Sequence, residues 1–357
     1  MLMNKTLVQT LPSGPLDIIG DIHGEYEALC ALLGELDYAV DGTHPEGRRL
    51  VFVGDFCDRG PNSPAVIKMA RDMIQAGRAY AVLGNHEINL LRDDPKAGSG
   101  WYFDQREESD QRDYEPFVRA TADEKGPIKD FFLSLPLVLE RDDIRIVHAA
   151  WLDECVDAVR SIPTTELLTA FDRWEEQALA QVAEEKLVET KAQEQIDWPY
   201  SLEDETHQPP LLKAHARLDV IEQNQNPIKI LTSGIERETS TPFYTSGKWR
   251  FAERIPWWND YDSPMPVVFG HYWRRVHEID RSKVGKNDPD LFAGISPFAW
   301  HGKHRTALCI DYSVGGRWRA RKDGEPLTKN FKLAALRWPE QSLVFDDGKR
   351  IKLEVGE

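Results

Sequence analysis

The sequence predicts an α/β fold with a helical insert in the middle and a β-rich end. Three observations carry this expectation. Short apolar runs alternate with helical patterns over the first 150 residues. An acidic stretch of helical composition comes next. After Pro266, short strand patterns succeed one another, and the Asp-Asp-Gly within Phe345–Lys349 is a hairpin turn signal.

The elements can be justified in order. Leu16 to Gly20 (LDIIG) reads as a buried strand and Glu25 to Leu36 as a helix. Leu50 to Gly54 (LVFVG) is a second strand, followed by a helix from Pro64 to Ala76. Ala79 to Gly84 is a third strand, with a short helix from His86. This β-α-β-α-β order predicts mostly parallel strands. Arg92 to Tyr114 reads as a polar loop, Glu115 to Leu135 as a helix and Ile144 to His148 as a strand. Trp151 to Gln195 is helical in composition, with a turn at Pro163. Pro209–Pro210 and Asn226–Pro227 punctuate the stretch after it. The runs VVFGH, TALCIDYS, WRAR, KLAALRW, LVFDDGKR and IKLEV then read as strands.

Composition narrows the class. The chain has 357 residues, with 41% hydrophobic and 29% charged side chains, as expected of a globular core. No run approaches the ~20 apolar residues of a membrane helix, and the first 15 residues lack the apolar stretch of a signal peptide. The 4 cysteines are scattered without a CxxC pair. That spacing supports neither a disulfide framework nor a thiolate zinc site, and a reducing cytoplasm is the expected compartment. The formal charge is −16, but Leu152 to Gln208 alone holds 15 acidic and 4 basic residues. The excess is thus concentrated in one segment, which reads as a solvated helical face or a contact for a partner. The acidic total argues against nucleic acid.

The chemistry-bearing residues share one grammar. Three strands stop at a glycine and continue at once into ligand-type side chains: Gly20-Asp21-Ile22-His23-Gly24, Gly54-Asp55-Phe56-Cys57-Asp58-Arg59-Gly60-Pro61 and Gly84-Asn85-His86-Glu87. Two further strands end at His148 and His271. In open α/β sheets, ligands bind beyond the carboxyl ends of strands. Asp21, His23, Asp55, Asn85, His148 and His271 are all oxygen or imidazole donors. That set suits manganese first, with iron, zinc or magnesium as alternatives. Six ligands are too many for one catalytic ion and fit two ions sharing a carboxylate.

GDIHG, GDFCDRGP, GNHE, a strand-end VHAA and a later GH together resemble the calcineurin-like metallophosphoesterases. Within them the pattern is similar to the PPP-type serine/threonine phosphatases and the bacterial diadenosine tetraphosphatases. FGHYW, ALCIDYSVGGRW and LRWPE resemble the closing segment of the tetraphosphatases. The resemblance implies a four-layer α-β-β-α sandwich with a helical acidic insert. It divides the chain into residues 1–151 as the first half of the catalytic domain, 152–262 as an insert or cap, and 263–357 as the β-rich second half. It implies a first metal on Asp21, His23 and Asp55, and a second on Asp55, Asn85, His148 and His271. A hydroxide bridging the two divalent ions would attack phosphorus in line. His86 would protonate the leaving oxygen, Asp58 would orient His86, and Arg59 would grip the phosphate. A second phosphate-binding arginine is expected in the insert, with Arg250 first and Arg237 and Arg254 as alternatives.

For substrate, the phosphatase-like spellings point to a phosphomonoester, phosphoprotein included. The closing segment points to a dinucleoside tetraphosphate or another nucleotide. A catalytically dead metal-binding scaffold is the rival of a different class, and the complete ligand set argues against it. Trp249, Trp257, Trp258 and Trp273 lie close in sequence, either as a stacking platform for a base or as core. Arg274–Arg275 and the arginines of Arg317–Lys322 could line a phosphate-rich site or form an outer strand face. The other histidines read as structural or surface residues, and Cys57 as an apolar filler.

Overall fold

Strands without polar alternation need cover on both faces, and the first half of the chain supplies three of them. The computed structural model describes residues 5–277, 287 and 289–353. It begins with β1 (Val8–Thr10), β2 (Leu16–Ile19), α1 (Tyr26–Glu35), β3 (Arg49–Phe52), α2 (Ser63–Gln75), β4 (Ala79–Ala81) and α3 (Asn85–Leu91). Helices α4 (Asp104–Tyr114) and α5 (Ala122–Leu133) lead to β5 (Val138–Arg141) and β6 (Ile144–Val147). The middle holds α6 (Asp153–Val159), α7 (Leu167–Glu184), α8 (Leu187–Asp197), α9 (Lys213–Asn224), α10 (Pro227–Ser233) and a hairpin of β7 (Glu236–Thr245) and β8 (Lys248–Arg254). The chain closes with β9 (Val267–Phe269), β10 (Ala307–Cys309), α11 (Arg317–Asp323), β11 (Ala334–Trp338), β12 (Ser342–Phe345) and β13 (Arg350–Lys352).

Two sheets form the centre. One runs β13-β12-β11-β2-β3-β4 and the other β1-β5-β6-β9-β10. Strands β2, β3 and β4 are parallel, with Ile19 opposite Phe52 and Phe52 opposite Ala81. Their carboxyl ends therefore open at one edge. In the second sheet, parallel pairing of β6 with β9 and of β9 with β10 brings the ends after Val147, Phe269 and Cys309 together in the same way. Ile18, Val51 and Val53 of the first sheet pack with Ile146, Val268 and Leu308 of the second. Ile19, Leu50 and Phe52 face the other way, onto Leu29 and Leu32 of α1 and Ile67 of α2. Each buried side chain of this size contributes about 1.5–3 kcal/mol. The result is the four-layer α-β-β-α sandwich.

The structure corrects the sequence reading at several elements. Residues 104–114 form a helix, not a loop. Helix α4 is polar on every face, so it has no apolar period to read. It is held by Arg119, which pairs with both Asp104 and Glu107, and by the buried Asp110, which accepts from the Gly98 and Gly100 amides. The next helix starts at Ala122, where Thr121 and Glu124 form a capping box. WRAR is helical in α11, not a strand; four residues of alternation fit either period. The β7–β8 hairpin has no counterpart in the sequence reading. Its turn is Ser246–Gly247, both with positive φ, as a two-residue hairpin requires. Glu354 and Val355 of the last expected strand lie outside the described residues.

The middle segment has small cores of its own. Ala178, Val182 and Leu187 pack with Ala214, Leu218 and Ile221, and Leu212 and Ala216 pack with Trp249 and Phe251. All four cysteines are free thiols. No helix among the described residues is long and apolar enough to cross a membrane.

Candidate active site

The site is built where the strands end. Asp21 and His23 follow β2, Asp55, Asp58 and Arg59 follow β3, and Asn85 and His86 open α3 after β4. His148 follows β6 and His271 follows β9. The turns are sharp: His23, Asp55, Asp58, Arg59 and His271 all have φ between 47° and 73°. Left-handed backbone at non-glycine residues concentrates at functional sites. Close approach fixes two glycines. A Cβ on Gly84 would lie 2.2 Å from Asp55 Oδ1, and one on Gly270 would lie 1.9 Å from Asp21 Oδ1.

All six expected ligands converge, and all but Asn85 are buried. Asp55 is central. Its Oδ2 lies 3.7 Å from His23 Nε2, 3.4 Å from His148 Nε2 and 3.9 Å from His86 Nε2. Asn85 Oδ1 is 3.3 Å from His148 Nε2 and 2.9 Å from His271 Nδ1. His23, Asp55 and His86 bring ligand atoms within 4.8 Å of one another, and so do Asp55, His148 and His271. His23 Nδ1 donates to the Cys57 carbonyl at 3.0 Å, and His148 Nδ1 to the Val53 carbonyl at 2.7 Å. Both rings thereby aim Nε2 inward, the orientation that outer partners give metal-bound histidines.

The donor set fits divalent cations. Asp21 Oδ1 and His271 Nε2 are buried with no hydrogen-bond partner among the described residues. Orphaned buried polar atoms call for an unseen partner. Charge says the same. Burial, then neighbouring Asp311, raises the Asp21 carboxyl well above the usual range. Burial pushes Asp55 up too, but His148, His86 and His23 outweigh it and hold the carboxyl well below. Burial lowers His148, yet Asp55 and Asp21 bring it up to about 10. Burial and Arg59 keep His23 well below the ordinary imidazole value. Without a cation, then, His148 itself carries the charge that Asp55 needs.

A second cluster adjoins the first. His86 Nδ1 donates to Asp58 Oδ2 at 2.5 Å, and Trp101 Nε1 donates to Asp58 Oδ1 at 2.5 Å. The Ser63 hydroxyl accepts from the Asp58 amide. The His86 ring is thus fixed with Nε2 toward Asp55. Arg59 donates to His23 Nε2 at 3.1 Å and lies 4.9 Å over the Trp273 ring. It faces a cavity of about 1390 Å³ that opens beside the ligand cluster.

The insert arginines are placed differently from one another. Arg237 pairs with Glu253 at 2.7 Å. Arg250 sits half-buried in the cavity wall, where Asp219 and Glu236 partly balance its charge. Arg254 stands over the Tyr272 ring and is the strongest charge acting on His271. Of the four clustered tryptophans, Trp249, Trp257 and Trp258 are core and only Trp273 lines the cavity. Cys57 is buried, and burial raises its thiol well above the usual value.

Sequence reasoning leaves three residues without a role. Glu87 accepts from the Asp55, Phe56 and Gly84 amides at 2.8–2.9 Å and so ties two strand-end loops together. Its signal is its place at the third position of α3, where a carboxylate reaches back to the helix start. Asp311 accepts from the Trp273 and Ser313 amides, and its strand-end position follows the grammar already used. Trp101 has no sequence signal.

The calcineurin-like phosphoesterase family matches residues 14–198, just over half the chain. Among curated proteins, the asymmetrical bis(5'-nucleosyl)-tetraphosphatase PrpE of Halalkalibacterium halodurans is 47% identical over 79 residues, which is 21% of this chain and 32% of that protein. The Bacillus subtilis protein of the same name is 44% identical over 79 residues, with the same shares. The chain thus spans about a third of the length of the curated relatives it matches. Among solved structures, the cold-active protein-tyrosine phosphatase of a Shewanella species is 16% identical, with 97% of this chain and 82% of that one covered and a TM-score of 0.47. A serine/threonine phosphatase of Saccharomyces cerevisiae is 12% identical, with 99% and 85% covered and a TM-score of 0.42. The chain belongs to the calcineurin-like phosphoesterases, hydrolases of phosphoester bonds.

Proposed function

We propose that this protein hydrolyses phosphomonoesters at a two-metal centre. The observation that carries the reading is the convergence of Asp21, His23, Asp55, Asn85, His148 and His271 beside the His86–Asp58 pair. Asp21, His23 and Asp55 would hold one ion, and Asp55, Asn85, His148 and His271 the other. When bound, the ions supply an activated water at neutral pH and charge to offset the phosphoryl oxygens. Manganese suits this oxygen and imidazole set best. His86 donates a proton from Nε2 to the leaving oxygen, and Asp58, itself fixed by Trp101, keeps the ring in that tautomer. Arg59 swings from His23 to a phosphate oxygen, for which its planar fork is suited.

Arg254 replaces Arg250 as the second arginine for the scissile phosphate. Its charge acts on His271 as well as on Glu236 across the hairpin, whereas that of Arg250 acts on Asp219 and Glu236. Residues 152–262 act as a cap, supported by the place of Asp219, Lys229, Arg250 and Arg254 in the cavity wall.

A second reading is favoured by one observation: the cavity is far larger than a phosphate and is rich in arginine. Under it the substrate is a dinucleoside tetraphosphate, the compound in the names of the PrpE relatives. With three tryptophans in the core, Trp273 is the stacking surface that the cluster offers. Product analysis separates the readings. With Mn²⁺, phosphate released from a phosphoserine peptide, with diadenosine tetraphosphate intact, supports the first. Cleavage of the dinucleotide, with the peptide untouched, supports the second. No turnover of either, nor of p-nitrophenyl phosphate, would overturn the phosphoesterase reading for this chain.

A further inference from the structure

The chain carries a large negative charge, and most of its arginines sit against carboxylates. Helix α11 shows the pattern. Arg317 pairs with Asp346, and Arg321 grips Glu25 through two nitrogens. Arg319, between them, turns to the other side of the helix, is exposed, and lines the large cavity. Among the described residues it has no carboxylate within ion-pair distance, and neither do Arg59, Arg250, Arg254, Arg274 and Arg275. All six line that one cavity.

Arg275 and Arg319 come after His271 in the chain and so lie outside residues 152–262. The Arg275 guanidinium lies over the Phe331 ring, 4.5 Å from its centre, and its hydrogen bond among the described residues is a long one, to the Asn330 carbonyl. Burial, then the neighbouring Arg319 guanidinium, brings Arg275 down to about 10, and Asp311 only partly opposes this. Two like charges that act on each other thus line the same cavity. Tyr114, at the end of α4, packs edge-on against Trp318 at 5.0 Å and lines the same cavity. Its hydroxyl feels both Arg59 and Arg319. Neighbouring guanidinium groups with no ion-paired carboxylate among the described residues, beside a hydroxyl and lining one cavity, are arranged for a planar anion.

We propose that Arg275 and Arg319, with the Tyr114 hydroxyl, form a second anion subsite that binds a non-scissile phosphate of the substrate. This rests on the phosphoesterase reading and narrows it to small organic molecules carrying at least two phosphates. Arg59 and Arg254 serve the phosphate being cleaved, and Arg275 and Arg319 serve one further along.

The test compares adenosine 5′-monophosphate with adenosine 5′-tetraphosphate at fixed free Mn²⁺, in wild type, Arg319→Gln and the Arg275→Gln/Arg319→Gln double variant. Charged hydrogen bonds of this kind are worth about 10- to 100-fold in affinity. The double variant is expected to raise KM for the tetraphosphate by that factor, with kcat within twofold and kcat/KM for the monophosphate unchanged. Equal losses on both substrates, or none on either, would overturn the subsite. A second readout needs no catalysis. Inorganic tripolyphosphate should quench the indole fluorescence of metal-free protein, and the exposed Arg319→Gln change alone should weaken that binding several-fold. If wild type hydrolyses neither nucleotide, the phosphoesterase reading fails, and tripolyphosphate binding still judges the subsite. Unchanged tripolyphosphate affinity in the variants overturns it, as does a short oligonucleotide binding far more tightly than tripolyphosphate.

Discussion

Strand β2 carries a buried aspartate near its start and another just past its end, and the two are in opposite states. Asp17 is completely satisfied. Arg48 donates to both its oxygens, at 2.7 and 3.0 Å, Arg337 donates at 3.1 Å and Tyr38 at 2.8 Å. Asp21, four residues on, has one oxygen accepting from the His271 amide and one with no partner. Both carboxylates are essentially inaccessible to water. A buried charge with its full set of donors is structural. One with an orphaned oxygen, ringed by other acceptors, is arranged for a cation from outside the chain.

The largest effect should come from the cation end. Asp55→Asn removes the carboxylate to which His23, His86 and His148 all turn. Its activity should fall well beyond the ~10- to 100-fold that outer partners of metal ligands cost. Steady-state hydrolysis of p-nitrophenyl phosphate checks this, and a loss under tenfold would remove Asp55 from the centre. His86→Ala comes next. It should slow esters with poor leaving groups by ~10²- to 10⁴-fold and spare those with good ones. Equal slowing of both would mean that His86 is no proton donor.

The structural end should respond through stability instead. Asp17→Ala takes the buried carboxylate from Arg48, whose side chain is only 2% exposed and keeps only the half-exposed Glu340 as an ionic partner, and from Arg337 and Tyr38 as well. Loss of one partner from such a buried pair costs about 3–5 kcal/mol. Urea unfolding should show that drop, while bound metal per folded chain stays constant. A cost under about 1 kcal/mol, or a parallel loss of metal, would erase the distinction between the two ends.

The smallest effect is on pH dependence. The metal-free site keeps His148 protonated up to a pH of about 10, and a metal needs the neutral ring. Protons must therefore leave as metal enters. Apparent affinity should rise with pH, by up to about tenfold per unit for each proton displaced. Metal-free protein also gains stability from this raised group. That gain is full below the unfolded histidine value near ~6.5 and fades as pH rises through about 10. Calorimetry in buffers of different ionisation heat would count the protons, and a count of zero would contradict the assignment.

The cation end is far more legible in the sequence than its surroundings. Asp21, Asp55 and Asn85 each follow an apolar strand at once, so topology alone collects them at one edge. The cavity wall is different. Arg250 and Arg254 lie four residues apart on β8, so strand alternation puts both on one face and only folding decides which acts on His271. Arg319 reads in sequence as part of an alternating strand, whereas its helix separates it from Arg317 and Arg321. Trp101 reaches Asp58 across 43 residues, a contact that no local pattern encodes. Asp17 is equally silent in the sequence, because its three donors come from distant segments.

The central claim is that the Asp21 end of the fold holds two divalent cations. Equilibrium dialysis of metal-free protein against Mn²⁺, with metal counted per chain by atomic spectroscopy, tests it most directly. The account expects two ions per chain for wild type and for Asp17→Ala, and fewer for Asp55→Asn. No bound metal in wild type, or a count unchanged by Asp55→Asn, would contradict it.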